Sequence, residues 1–177
     1  DIVANSSSNE IYVLAQYGLF RAPLHDGENI TELITIYQNA FFGSETFLSL
    51  DPIDEKLYWG TQQGIFRINT NGASYQTVIP IEFTNASYNI PHGIVLDHSI
   101  DRLIWAATTR MMQAHIDGSE IDALIAGIQQ PKRIQIDAPS QKMYWVDRSR
   151  ILRANVDGSH LEEIVSTNSQ TSVVDLC

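Results

Sequence analysis

Cysteine is nearly absent from this chain. Its 177 residues include one, Cys177, at the last position. A single cysteine forms no internal disulfide, and a terminal thiol without fixed neighbours is a poor nucleophile. In a secreted chain a leftover cysteine points to a disulfide partner outside the segment. Cations are scarce as well, with 11 Lys and Arg against 21 Asp and Glu and a formal net charge of −10. That balance repels nucleic acid and anionic membrane. No apolar run approaches the roughly 20 residues that cross a bilayer, so no membrane span is expected. The chain begins at Asp1 rather than at a methionine. This fits removal of a signal peptide or excision from a longer protein.

Catalytic signatures are missing too. There is no H-E-x-x-H pair, no G-x-S-x-G elbow and no phosphate-binding glycine loop. The five histidines are scattered at His25, His92, His98, His115 and His160. None pairs at the i, i+4 spacing that a zinc site on one helix face would use. His98, close to Asp101 and Arg102, is the one placed for a pH-dependent contact, because histidine titrates at about pH 6.5. The expectation is a protein without catalytic residues, cofactor or metal.

What is present is a repeat. Three segments carry an aspartate followed eight residues later by a tryptophan: Asp51 and Trp59, Asp97 and Trp105, Asp137 and Trp145. Thirteen residues after each tryptophan stands a glycine, Gly72, Gly118 or Gly158. The tryptophans are 46 and then 40 residues apart, the length of a propeller blade. A degenerate copy precedes them, with Asn5 in the aspartate slot, Val13 in the tryptophan slot and His25-Asp26-Gly27 in the turn slot. At the other end Val173-Val174-Asp175 repeats the opening of a unit. The units run over about 1–43, 44–89, 90–130 and 131–170, with the start of a fifth at 171–177.

Within a unit the pattern is that of short strands. Arg133-Ile134-Gln135-Ile136-Asp137 alternates polar and apolar, the mark of a half-buried strand. Lys142 to Val146, Ile151 to Val156 and Leu161 to Val165 read as three more, and Asp157-Gly158 is a tight turn. Four antiparallel strands per unit make an all-β propeller blade. Recurrent tryptophans fit the packing between blades, and the recurrent aspartates fit carboxylates that accept backbone N–H groups in turns. The insertion Pro80 to Asn89 accounts for the longer first step.

These residues carry a resemblance. Leu57-Tyr58-Trp59, Leu103-Ile104-Trp105 and Met143-Tyr144-Trp145-Val146-Asp147 resemble the YWTD signature of the low-density-lipoprotein-receptor class B repeat. Arg153 to Ser159, Ala114 to Ser119 and Pro91 to Asp97 resemble its R-A-x-x-D-G-S and P-x-G-I-A-x-D stretches. The likeness covers nearly the whole chain and is weakest in the first unit. The motif's final aspartate survives only as Asp147, with Ala15, Thr61 and Ala107 in its other slots. The resemblance implies a β-propeller acting as an extracellular protein-interaction module, of receptor or matrix type. A propeller hydrolase and a self-assembling or carbohydrate-binding propeller are the other readings. The family ring has six blades, so these four fit a fragment, a small closed ring or half of a two-chain ring.

Loops on the two ends of a blade differ in charge. The A–B loops and C–D turns carry Asp26, Glu28, Asp54, Glu55, Asp101, Asp117, Glu120, Asp122, Asp157, Glu162 and Glu163. The opposite end carries Arg110, Lys132, Arg133, Arg148 and Arg150. The candidate binding face is therefore Tyr17, Gln63, His92, Arg110, Lys132, Arg148 and Arg150, turned toward an acidic protein ligand. Self-association, or further blades completing the ring, is the other expected partnership. Asn5, Asn29 and Asn85 head Asn-x-Ser/Thr sequons and are the expected glycosylation sites.

Overall fold

The structure, a computed structural model, describes residues 1–15, 18–25, 29–35, 47–80, 82 and 91–166. Its sixteen strands form four sheets of four strands each. The chain divides into two compact units, Asp1–Asn85 and Ala86–Cys177.

The first unit holds two sheets. Blade one is β1 (Ile2–Asn5), β2 (Glu10–Ala15), β3 (Gly18–Pro23) and β4 (Thr31–Thr35). Blade two is β5 (Phe47–Asp51), β6 (Lys56–Thr61), β7 (Gly64–Asn69) and β8 (Gln76–Ile79). In the second unit, blade three is β9 (Ile94–Asp97), β10 (Arg102–Ala107), β11 (Arg110–His115) and β12 (Asp122–Ala126). Blade four is β13 (Pro131–Asp137), β14 (Lys142–Asp147), β15 (Arg150–Asn155) and β16 (Glu162–Ser166). Every sheet is antiparallel, and its strands lie side by side in chain order.

Burial follows the sequence pattern. On β10, Leu103 to Ala107 are buried without a break, so this strand is covered on both faces and shows an apolar run in place of alternation. Trp59, Trp105 and Trp145 lie at matching places on β6, β10 and β14 and are all buried. In the second unit Trp145, Met143, Leu152 and Ala154 of blade four pack with Ile104, Ala106, Met111 and Ile125 of blade three. In the first unit Trp59, Leu57, Ile68 and Leu48 of blade two pack with Tyr12, Leu14 and Leu19 of blade one. One joint thus repeats, with the tryptophan-bearing face of the later blade packed on the apolar face of the earlier one.

The turn between first and second strands also recurs. Asp51 Oδ1 accepts the amides of Ile53 and Asp54 at 3.0 and 3.1 Å. Asp97 Oδ1 accepts the Ser99 amide and hydroxyl at 2.9 and 2.6 Å. Asn5 Oδ1 accepts the amides of Ser7 and Ser8 at 3.1 and 3.3 Å, so the first blade uses an amide in the same role. Asp137 is exposed and its Oδ2 accepts the Ser140 hydroxyl at 2.5 Å. These short side chains close the turn by replacing backbone partners.

Candidate binding surface at one end of blades three and four

Antiparallel pairing fixes which residues share an end of a sheet. In blade three Ala107 pairs with Arg110 across the two-residue turn Thr108-Thr109, and Arg110 pairs with Ala126. In blade four Asp147 pairs with Arg150 across Arg148-Ser149, Asp147 pairs with Pro131, and Lys132 pairs with Val146. His92 precedes β9 and its amide donates to the Ala106 carbonyl at 2.8 Å. Arg110, Lys132, Arg148, Arg150 and His92 therefore lie at the corresponding end of the two blades.

Backbone bonds hold that end together. The Gln130 amide donates to the Thr108 carbonyl at 2.9 Å, and the Arg133 amide to the His92 carbonyl at 3.4 Å. A Cβ on Gly93 would stand 3.2 Å from the Arg133 nitrogen, so the two inner strands approach closely there. The side chain of Asp147, 0% exposed, accepts the Gln129 amide at 3.0 Å through Oδ2. Gln129 lies between β12 and β13, so the one aspartate retained from the repeat signature ties the link between blades to the turn of blade four. In the other slots Thr61 Oγ1 accepts the Gln63 amide at 2.9 Å, a bond within its own turn, and Ala107 offers no side-chain acceptor.

The cations at this end are not equivalent. Arg150 Nη2 lies 3.1 Å from Asp147 Oδ2, and Nη1 lies 3.4 Å from Glu163 Oε2. Its guanidinium is thus engaged inside the blade, and Glu163, grouped above with the acidic end, serves the basic one. Arg148 is exposed, sits in a left-handed turn with φ 56°, and has no side-chain partner among the described residues. Arg110 is half-buried, and its Nε is buried without a partner. Lys132, Arg133 and His92 all make interactions of their own. The sequence pattern located the row but not this division between engaged and open cations.

At the opposite end acids and cations pair with one another. Arg153 Nη2 meets Glu162 Oε2 at 2.8 Å, and the partnership pulls Glu162 below the usual carboxylate range. His115 Nδ1 lies 2.8 Å from both Asp101 Oδ2 and Arg102 Nη1, and Nε2 lies 2.9 Å from Glu120 Oε2. The hydrogen bond with Asp101 is the main cause of a raised His115 pKa, while burial and Arg102 oppose it.

In the first unit Gln63 is exposed in the β6–β7 turn. Asn29 is exposed with φ 61°, and Asn5 is half-buried in its turn. Tyr17, Asn85 and Cys177 lie outside the described residues. Among the described residues no group of three or more His, Cys, Asp or Glu is placed to hold a metal, and no helix is long and apolar enough to cross a membrane.

Known proteins resemble this chain in fold. No protein-family model matches it. Protein cueball of Drosophila simulans is 27% identical over 111 residues, which are 60% of this chain and 16% of that protein. A chain of the nidogen/laminin complex superposes with TM-score 0.72 at 24% identity, covering 90% of this chain and 62% of the other. The putative TolB of Agrobacterium tumefaciens superposes with TM-score 0.72 at 10% identity, covering 92% and 63%. The chain therefore spans less than two thirds of each protein it matches here. With its four-stranded sheets, these likenesses show a β-propeller fold, as the class B resemblance implies.

Proposed function

We propose that this β-propeller is an extracellular protein-interaction module, not an enzyme, and that it holds an acidic segment of a protein partner at the Arg110–Arg148 end of blades three and four. The observation that carries this reading is the uneven use of charge. Arg150 is already engaged by Asp147 and Glu163, and Arg153 by Glu162. Arg110 and Arg148 have no side-chain partner among the described residues, although the chain carries 21 acids for 11 Lys and Arg. A planar guanidinium held on a short turn suits forked hydrogen bonds to a carboxylate. Turns on a rigid sheet are where propellers present such groups. The nidogen/laminin complex, a protein–protein assembly by its name, supports a protein partner. The class B resemblance and the sequons of this chain support a place outside the cell.

The test uses a library of 12-residue peptides that varies the number and spacing of Asp and Glu. Peptides with two or more carboxylates should bind, and binding should weaken steeply with salt, because exposed charges are screened over about 8 Å at physiological ionic strength. The Arg110→Glu, Arg148→Glu double variant should keep its unfolding midpoint and lose the acidic peptides. Undiminished binding by that variant would overturn the assignment of this end.

A further inference from the structure

Blades three and four begin their third strand with the same residue type and surround it differently. Arg150 pairs with Asp147 on one side and Ser166 on the other, and further along β15 Leu152 pairs with Glu163. Forty residues earlier, Arg110 pairs with Ala107 and Ala126, and Met112 with Ala123. Both outer pairings bulge at the same step, between Ile151 and Leu152 and between Met111 and Met112, so the two registers match residue for residue. Asp147 and Glu163, the acids that meet Arg150 at 3.1 and 3.4 Å, are thus replaced in blade three by Ala107 and Ala123. Blades one and two hold glycine at the arginine's place, Gly18 and Gly64.

Blade three therefore keeps the arginine and lacks its acids. The Arg110 Nε is enclosed without an acceptor, although buried donors are normally bonded. No acid among the described residues meets its guanidinium, and residues 83–90, which lead into blade three, include no Asp or Glu. The two alanines are not equally open. Ala107 is 0% exposed, whereas Ala123 is exposed on β12. On β16 the equivalent Glu163 reaches Arg150 while 44% of its side chain stays exposed. The enclosed Nε anchors the Arg110 guanidinium on its inner side and leaves its outer nitrogens as the donors on offer.

We infer that Arg110 and Ala123 form a carboxylate subsite, in which one Asp or Glu side chain of the partner takes the place over Ala123 that Glu163 fills in blade four. The inference rests on the acidic-partner reading and narrows it to one contact. Blade three makes with a ligand the ion pair that blade four makes within itself. The carboxylate arrives across the outer strand, as Glu163 does, because the Ala107 side is buried. Alanine at 123 leaves room for the incoming side chain and brings no charge to compete with it. A carboxylate is preferred over an amide of the same shape, because its bond to the guanidinium is charged at both ends.

The experiment supplies the acid from within the chain. Ala123→Glu changes an exposed position, so the fold is kept. Followed by NMR, the introduced carboxyl should titrate below the ordinary glutamate value of about 4.3, and Arg110→Gln in the same chain should restore that value. The ligand probe is the tightest-binding acidic peptide of the library described above. Ala123→Glu should weaken it by roughly tenfold, the worth of one hydrogen bond to a charged group. Ala123→Gln, of equal size and no charge, should weaken it less. An introduced carboxyl that titrates at its ordinary value, or a shift that survives Arg110→Gln, would overturn the subsite. So would peptide binding that Ala123→Glu leaves intact and the Arg110→Glu, Arg148→Glu variant abolishes. That result keeps the acidic-partner reading and assigns the acid to Arg148. Binding undiminished in both variants, or a library without any acidic binder, overturns the reading and the subsite together.

Discussion

Asp147 and Gln129 are eighteen residues apart and joined by one hydrogen bond, from the Gln129 amide to a carboxylate that is 0% exposed. Arg150 meets the same oxygen. Removing the carboxylate leaves the Gln129 amide without its acceptor and takes one of two acidic partners from Arg150. Asp147→Ala should therefore cost about 3 kcal/mol. Asp147→Asn should cost less, since its carbonyl still accepts from Gln129. The Asp147→Ala, Arg150→Ala double variant should be less destabilised than the sum of the singles. Urea midpoints with unchanged slope are the measurement.

The buried tryptophans should be costly to remove. Trp105→Ala and Trp145→Ala should each cost about 3–5 kcal/mol, because both side chains are fully enclosed and leave cavities. Trp59 is buried as well, with Phe66 and Tyr75 rings centred 5.9 Å away. Trp59→Ala should therefore also be destabilising, and since it removes one of three tryptophans the unfolding is followed by circular dichroism as well as by fluorescence.

His115 should titrate above its ordinary pKa of 6.5, held protonated chiefly by Asp101 and also by Glu120. A pKa raised on folding adds stability that is complete below the unfolded value and is lost as pH rises through the folded value. Stability from this group should thus fall from pH 6.5 upward. Asp101→Asn should move the His115 transition back toward its ordinary value, and His115→Gln should flatten the slope in that window. NMR titration of the ring protons together with unfolding midpoints across pH reads both.

Asn29 should carry a glycan when the protein is secreted from eukaryotic cells. Asn29, Ile30 and Thr31 are all exposed, with Ile30 at 66%. Attachment there buries nothing that the fold needs, and the sugar would shield an apolar side chain. Asn29→Gln should remove one glycosidase-sensitive mass increment and leave the unfolding midpoint unchanged.

The repeat was legible because its markers are residue types that physics restricts. Only a large ring fills the place of Trp59, Trp105 and Trp145, and glycine suits the φ of 84–93° found at Gly72, Gly118 and Gly158. Other repeated geometry left no such mark. Asn9, Glu55, Asp101 and Gln141 are left-handed at one equivalent turn position, with φ of 51–58°. Asn29, Ser74, Glu120 and His160 are left-handed at another, with φ of 53–61°. The turn imposes that backbone on whatever side chain is present, so four different residues hide one conformation. For the candidate site, strand order alone put the cations at one end. Their pairing was not legible, because Glu163 on β16 meets Arg150 on the neighbouring β15 beside a bulge that no residue type announces.

Sheets whose strands neighbour one another in chain order have a kinetic consequence. Each hairpin closes a loop of a few residues, so little chain entropy is lost before contacts form. A blade can assemble as soon as its own strands are available, and the next can then condense onto a preformed surface. For sheets built of such hairpins this is a low-contact-order route. Synthesis from the first residue onward thus becomes a sequence of short folding events, with no wait for distant strands to find each other.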